Sequence, residues 1–338
     1  MSPPPWRNRC PPSRQSSADV LTSPTQRFSP WARMTRAQRE NLNGHLLTAP
    51  TLLVILAIVI VPFLAVIVFA FADLRLVDIP YMNLGNIEWT LDNIIGAMES
   101  KAFWGALGTT IAYATLTTLG AIVCGLAIAL AIRRPFRGRG VVRALLLVPY
   151  VLPVIAAATI WRTMLNPQYG LINAFGLEFL GWDRPIGFLN TSTYEVFGVS
   201  IPLTLLTVVA FEVWKTTPLT FLFITARLQS IPGDIEEAAA LDGASSRKIL
   251  TQIVAPQLRA VVLLLILLRF IWSFQSFNDI YLLTGGAGGT QVMAVKVYTE
   301  LITRADIGSA ASYGLLMSVI LAVLLVFYVL LSRRKETL

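Results

Sequence analysis

Residues 234–256 read Asp234-Ile235-Glu236-Glu237-Ala238-Ala239-Ala240-Leu241-Asp242-Gly243-Ala244-Ser245-Ser246-Arg247-Lys248-Ile249-Leu250-Thr251-Gln252-Ile253-Val254-Ala255-Pro256, a polar stretch between two long apolar runs. Asp234 can cap a helix by accepting from the free amide of residue 237. Glu236 and Glu237 then fall in the first turn, where the positive end of the macrodipole favours anions. Ala238, Ala239 and Ala240 add helix propensity without bulk, and Gly243 tolerates the left-handed conformation that closes a helix. The spacing predicts a rigid helix of about two turns. Ser245 or Ser246 can cap a second helix running toward Pro256, where the next apolar run begins. The product is a compact knob at a membrane surface.

Outward from this knob lie six apolar runs, each long enough for a hydrocarbon core of about 30 Å, which takes roughly 20 helical residues. They are Thr51 to Ala72, Ala102 to Ile132, Val141 to Leu165, Val196 to Ala226, Gln257 to Leu283, and Ile307 to Ser332. Pro149 and Pro153 are expected to kink the third. The fourth carries Glu212 and Lys215, and the fifth carries Arg269 and Asp279. With 55% hydrophobic and only 14% charged residues, the chain reads as an all-α membrane protein of six transmembrane helices. The expected organisation is a disordered or amphipathic segment 1–46, a transmembrane domain 47–332 containing the loop 227–256, and a short tail 333–338.

The net charge of +8 could suggest nucleic acid, but the basic residues flank apolar runs instead of clustering on a soluble domain. They report topology, with the lipid bilayer as partner and no nucleic acid. The N-terminal tail, the loop from Arg133 to Arg143, the 227–259 loop and the C-terminus hold 19 of the 27 Lys and Arg residues. The opposite loops hold Arg75, Lys101, Arg184, Lys296 and Arg304. The positive-inside rule therefore puts both termini and the knob in the cytoplasm of a multi-pass protein of the cell membrane. The outer segments 73–101, 166–195 and 284–306 are too short for a soluble domain, so an outer partner must be met by loops.

Several chemistries are excluded or lack parts. Cys10 sits in a polar tail and Cys124 inside an apolar run, so neither a disulfide framework nor a thiolate metal site is available. His45 is the only histidine and reads as an interfacial residue. Residues 1–33 lack the apolar core of a cleaved signal peptide, and Met34 would serve equally as a start. No Gly-x-x-x-x-Gly-Lys-Ser/Thr phosphate loop occurs; the glycine cluster Gly285-Gly286-Ala287-Gly288-Gly289-Thr290 has no Lys. The chain is read as a non-enzyme without an ATPase motif of its own. An intramembrane enzyme would lack a credible nucleophile and base.

Within the fifth run, Trp272, Gln275, Ser276 and Asp279 fall at i, i+3, i+4 and i+7 of a continuous helix, which predicts one polar face. A carboxylate at mid-membrane costs about 2.5–3.5 kcal/mol on insertion scales, so Asp279 should face a cavity or a partner. An aromatic plane beside amides and hydroxyls suits a sugar; interhelical hydrogen bonding is the alternative use. Glu212 and Lys215, three residues apart, read as a structural pair or a proton relay. Arg269 needs a partner from a neighbouring helix or from Asp279. Trp161-Arg162 with Asn166-Pro167, Gly170 and Asn173 reads as an aromatic anchor, a snorkelling Arg and a turn, an edge that could also touch an outer partner.

The spacing of the knob resembles the coupling motif of membrane subunits of ATP-binding-cassette importers: Glu-Ala-Ala, Gly four positions on, and Ile-x-Leu-Pro after nine more, with Ala255 where Leu is usual. The flanks Leu228-Gln229-Ser230-Ile231-Pro232 and Leu241-Asp242-Gly243-Ala244 are similar to the sugar-transporting branch. So is Phe277-Asn278-Asp279-Ile280 followed by Leu283-Thr284-Gly285-Gly286, which resembles the first of the two unlike membrane subunits of the maltose-importer type; Ala287 replaces the usual Pro. The resemblance implies a type I importer permease fold. Glu236, Glu237, Ala238, Ala239, Asp242, Gly243, Ile253 and Pro256 would couple to an ATPase, and Trp272, Gln275, Ser276, Asn278 and Asp279 would line the substrate pathway. It further implies a second homologous permease forming a heterodimer, two ATPase subunits and an extracytoplasmic sugar-binding protein. No cofactor is bound directly; ATP and Mg would sit on the ATPases. The cargo would be a carbohydrate, with trehalose or another disaccharide favoured over glycerol phosphates. A self-contained transporter driven by protons or sodium through Glu212 and Asp279 is the alternative, set against the absence of internal repeats with paired broken helices.

Overall fold

The computed structural model describes residues 47–81, 88–196 and 198–334. The expectations for the segment 1–46, including Cys10, Met34 and His45, and for residues 335–338 lie outside the described residues. In chain order the helices are α1 (Leu47–Ala70), α2 (Asp92–Glu99), α3 (Lys101–Ala131), α4 (Arg139–Val151), α5 (Val154–Met164), α6 (Leu171–Phe179), α7 (Leu203–Gln229) and α8 (Gly233–Leu241). There follow α9 (Ser246–Phe274), α10 (Asn278–Thr284), α11 (Met293–Tyr298) and α12 (Ile307–Arg334). Among them α1, α3, α7, α9 and α12 are long and apolar enough to cross a membrane, and α4 with α5 forms a sixth, broken span.

The chain divides into two compact units, 1–60 and 61–338. In the first, residues 47–60 are helical and all but Ala49 are exposed, including Leu52, Leu53, Val54 and Ile58. A helical surface so apolar requires lipid or another protein to cover it. In the second unit, Val61–Ala70 packs along α12, where the Ser312 hydroxyl donates to the Ala70 carbonyl at 3.0 Å.

Several boundaries differ from the sequence expectation. Pro149 lies inside α4 without breaking it, whereas α4 and α5 diverge by 96° at Leu152-Pro153. Leu152 is extended (φ −64°, ψ 135°), the conformation a following proline imposes. The fourth span starts at Leu203, not at Val196, because the preceding residues pair as the hairpin β1 (Tyr194–Val196) and β2 (Val199–Ile201), and Pro202 ends the ladder. The fifth run begins earlier and ends sooner: α9 starts at Ser246, passes through a π turn at Ile249–Val254, and stops at Phe274. The π turn immediately precedes Pro256, whose ring would clash with the carbonyl four residues back in a regular helix. The sixth span continues through Arg334 instead of ending at Ser332.

Segments read as outer loops contain α2, α6 and α11, and α11 is largely buried, with Met293, Val295 and Lys296 at 5% exposure or less. Its start is pinned to α3 by the Met293 amide donating to Thr110 Oγ1 at 2.8 Å.

The core centres on α3 against α7, which also contact α9. Small residues permit the close approach. A Cβ on Gly120 would lie 2.6 Å from Val213 Cγ2, and one on Gly125 would lie 2.7 Å from Thr220 Cγ2 and 3.0 Å from the Phe221 amide nitrogen. Toward the α8 end, Ile122, Phe221, Ile224, Leu228, Ile231, Val254, Leu258 and Leu265 form one apolar cluster. Toward the other end, Tyr113, Val208, Phe211, Ile280 and Leu283 form another.

Candidate functional site

The predicted knob exists, with a different start. α8 begins at Gly233 with Pro232 at the capping position, and no side chain caps it; Asp234 and Glu236 lie in its first turn. Proline fixes the backbone before the helix and needs no amide partner, so Asp234 acts on the dipole and not as the cap. The end matches the expectation. Gly243 is left-handed at φ 84°, the Ala244 amide donates to the Ala239 carbonyl at 2.9 Å, and the Gly243 amide to the Ala240 carbonyl at 3.1 Å. That pair of bonds is a Schellman closure. Ser245 caps α9 by accepting from the Lys248 amide at 3.4 Å.

No residue of α8 is buried. Glu237, Ala238, Asp242, Gly243 and Pro256 are exposed, while Glu236, Ala239 and Ile253 are partly covered. Leu241, at 90% exposure, stands at the tip. The roots are the opposite: Ile231 before α8 and Val254 after it are buried in the α3–α7–α9 cluster at 7% and 0%. Of the motif's Ile253-Val254 pair, it is Val254 that anchors the segment. Glu236 forms an ion pair with Arg133, which follows α3. Leu241, Val254 and Arg133 were not singled out by spacing; the apolar Leu241 amid polar residues was the one available signal.

Inside the bundle, four charges meet. Glu212 accepts from Arg269 Nη2 at 3.1 Å and lies 3.4 Å from Lys215 Nζ. Lys215 is also paired with Asp279, and Arg269 Nη2 donates to Thr216 Oγ1 at 2.7 Å. Two cations and two carboxylates thus join α7, α9 and α10, with Arg269 and Glu212 at 3% and 4% exposure. Charges so far from water persist only when paired and hydrogen-bonded. The partner that Arg269 required is Glu212, and Lys215 bridges both carboxylates.

The predicted polar face of the fifth run is divided. The helix stops at Phe274 and restarts at Asn278, so Trp272, Gln275, Ser276 and Asp279 do not share one helical face. Ser276 and Asn278 are weak in helix propensity and compete for backbone bonds, which favours a break there. Trp272, Gln275 and Asn278 are exposed, Ser276 is partly covered and Asp279 is buried. Ser276 Oγ donates to Asp279 Oδ2 at 3.4 Å. Asp279 faces a partner, as its cost in lipid required.

At the end remote from α8, Trp161 packs on Phe211 and Trp214 at 5.4 and 5.7 Å between ring centres. Asn166 closes a turn by accepting from the Gln168 amide at 2.8 Å. Asn173, 1% exposed, clamps Ile186 through both its amide oxygen and nitrogen. This edge is therefore a built structural corner. Beside it opens a cavity of about 830 Å³ bordered by α5, the 187–190 loop, α10 and α11.

A broken third span, a surface helix between two spans and a charge-lined bundle define a multi-span helical permease of the type I ABC importer fold. A bacterial transporter involved in alginate import shares this fold, with a TM-score of 0.75 at 21% identity, covering 89% of this chain and 99% of that one. Residues 121–337 match the model of the binding-protein-dependent transport system inner membrane component, and the chain belongs to that family of transport subunits. It is 30% identical to the trehalose/maltose transport system permease protein MalF of Thermococcus litoralis over 301 residues, 88% of this chain and 96% of the relative. It is 32% identical to the inner membrane ABC transporter permease protein YcjO of Escherichia coli K12, over 87% and 94%. The trehalose transport system permease protein SugA of Mycobacterium tuberculosis is 30% identical over 75% of each chain.

Proposed function

We propose that this chain forms half of the pore of an ATP-driven carbohydrate importer, with trehalose or a related disaccharide as cargo. The observation that carries the reading is α8: a sharply closed helix with an almost fully exposed leucine, rooted through Ile231 and Val254 in the core of three membrane helices. A rigid lever whose tip is bare and whose base is buried suits a partner that pushes on it, and the chain has no phosphate loop of its own. The partners are two ATPase subunits that hold ATP and Mg, a second similar but distinct permease, and an extracytoplasmic binding protein that delivers sugar. The termini and α8 face the cytoplasm, in keeping with the distribution of Lys and Arg. ATP binding shifts the pore between two states only through contacts that differ between them. Asp279, Ser276, Asn278, Gln275 and Trp272 remain the pathway residues of this reading, distributed around the α9–α10 break. The curated relatives with trehalose and maltose in their names support the cargo class.

The ion-coupled alternative is not favoured: Glu212 and Asp279 are both engaged by cations. The test is reconstitution of the chain with its partner permease, ATPases and binding protein in liposomes, followed by uptake of labelled trehalose and maltose. Uptake that requires ATP and all partners is expected. Uptake by the chain alone under a proton or sodium gradient would overturn the reading.

A further inference from the structure

The cavity of about 830 Å³ at the end remote from α8 has a composition unlike a lipid-facing cleft. Tyr281 of α10 and Tyr298 of α11 line it, their ring centres 4.8 Å apart with planes at 60°. Phe277 supports both, stacked on Tyr281 at 4.9 Å with planes 19° apart and lying 5.1 Å from Tyr298. Around these rings stand Arg162, Asn190 and Thr303. Among the described residues lining the cavity, Arg162 is the one charged group and no carboxylate is present. Arg162 is exposed, and its Nη1 reaches the Leu282 carbonyl at 3.4 Å.

Aromatic faces, amides and hydroxyls with one guanidinium fit a flat, hydroxyl-rich ligand. The rings take the apolar C–H faces, and the polar groups take the hydroxyls. The volume falls in the range of roughly 300–1,000 Å³ typical of small-molecule sites. Position adds a second argument. The lining residues Leu282 and Leu283 follow Asp279 on the same short helix, so the cavity opens just beyond the buried charge cluster. Thr204, at the start of α7, bonds the Thr191 carbonyl beside the 187–190 loop, which puts the cavity at the end of α7 opposite α8, about 40 Å away along that helix.

We infer that Tyr281, Tyr298, Arg162 and Asn190 form a carbohydrate subsite that receives the sugar at the mouth of the pore, before the sugar reaches the α9–α10 break. This deepens the proposed function and rests on it. The subsite is separate from Trp272, Gln275 and Asn278, none of which borders the cavity.

The test uses the complete reconstituted importer with saturating sugar-loaded binding protein, with labelled trehalose and maltose as probes. Tyr298→Ala and Arg162→Gln should each lower uptake about tenfold, the loss of one good contact, while ATP hydrolysis stimulated by the binding protein stays near the wild-type rate. Sugar moved per ATP therefore falls. Tyr298→Phe, which keeps the ring, should restore most of the uptake. Unchanged uptake in Tyr298→Ala and Arg162→Gln would overturn the inference, as would uptake and ATP hydrolysis falling together in both, which marks a structural role. A wild-type importer that takes up neither sugar with ATP would sink the parent reading and this one with it. Wild-type uptake with insensitive variants sinks the subsite alone.

Discussion

Lys215 of α7 and Asp279 of α10 form an ion pair that ties the middle of a membrane helix to the short helix beyond the interruption at residues 275–277. Through Glu212, which contacts both Lys215 and Arg269, the same network reaches α9. The α9–α10 break is thus held from one side by charge.

Removing one member should expose the cost of the others. Arg269→Met leaves Glu212 buried without its guanidinium, and a loss of about 3–5 kcal/mol is expected, read as lower thermal stability in detergent. The double variant Arg269→Met with Glu212→Leu should recover much of that loss. A double variant no better than the single one would contradict the pairing.

Asp279→Leu frees Lys215 to pair with Glu212 alone. Uptake should fall while the chain still copurifies with its ATPases, because α8 is untouched. Loss of copurification would assign Asp279 to assembly instead of the pathway.

At the knob, Leu241→Asp places a charge on the most exposed apolar tip, and Gly243→Pro removes the left-handed closure and its amide donor. Both should abolish ATPase binding in pull-downs without altering membrane insertion. Normal uptake by either would count heavily against α8 as the coupling element.

Arg133→Ala removes the partner of Glu236 at a partly exposed position. Its effect on stability should be under about 1 kcal/mol, as for other solvent-screened pairs. A much larger drop in melting temperature would mean that the 133–139 loop depends on this contact.

Gly125→Ala should destabilise by about 1–3 kcal/mol, since its Cβ would press on Thr220 and the Phe221 backbone. Gly138, left-handed at φ 86° with open space around it, should tolerate Asn better than Gly125 tolerates Ala.

Spans and knob were legible because they rest on local chemistry: apolar runs of membrane length, alanines followed by Gly243, and a serine at a helix start. The boundaries that moved depended on competition between local preferences. Pro149 was absorbed and Pro153 was not, because the extended backbone before Pro153 opens a 96° bend. The polar face of the fifth run failed for a related reason. Helical periodicity assumes an unbroken helix, and Ser276 and Asn278 sit where it ends. The pairing of Arg269 with Glu212 spans 57 positions, a relationship that only packing of α7 on α9 creates. The Tyr281–Tyr298 cavity likewise needs α10 and α11 side by side, and α11 fell within a stretch read as loop.

Two positive and two negative groups at the heart of the bundle cancel. A swing that carries the whole cluster along the membrane normal moves no net charge across the field, whereas each unbalanced charge would cost or yield about 2.3 kcal/mol per 100 mV. The voltage across the bilayer therefore exerts little pull on this part of the bundle, and in the proposed importer the work of reorienting it comes from the α8 end of α7.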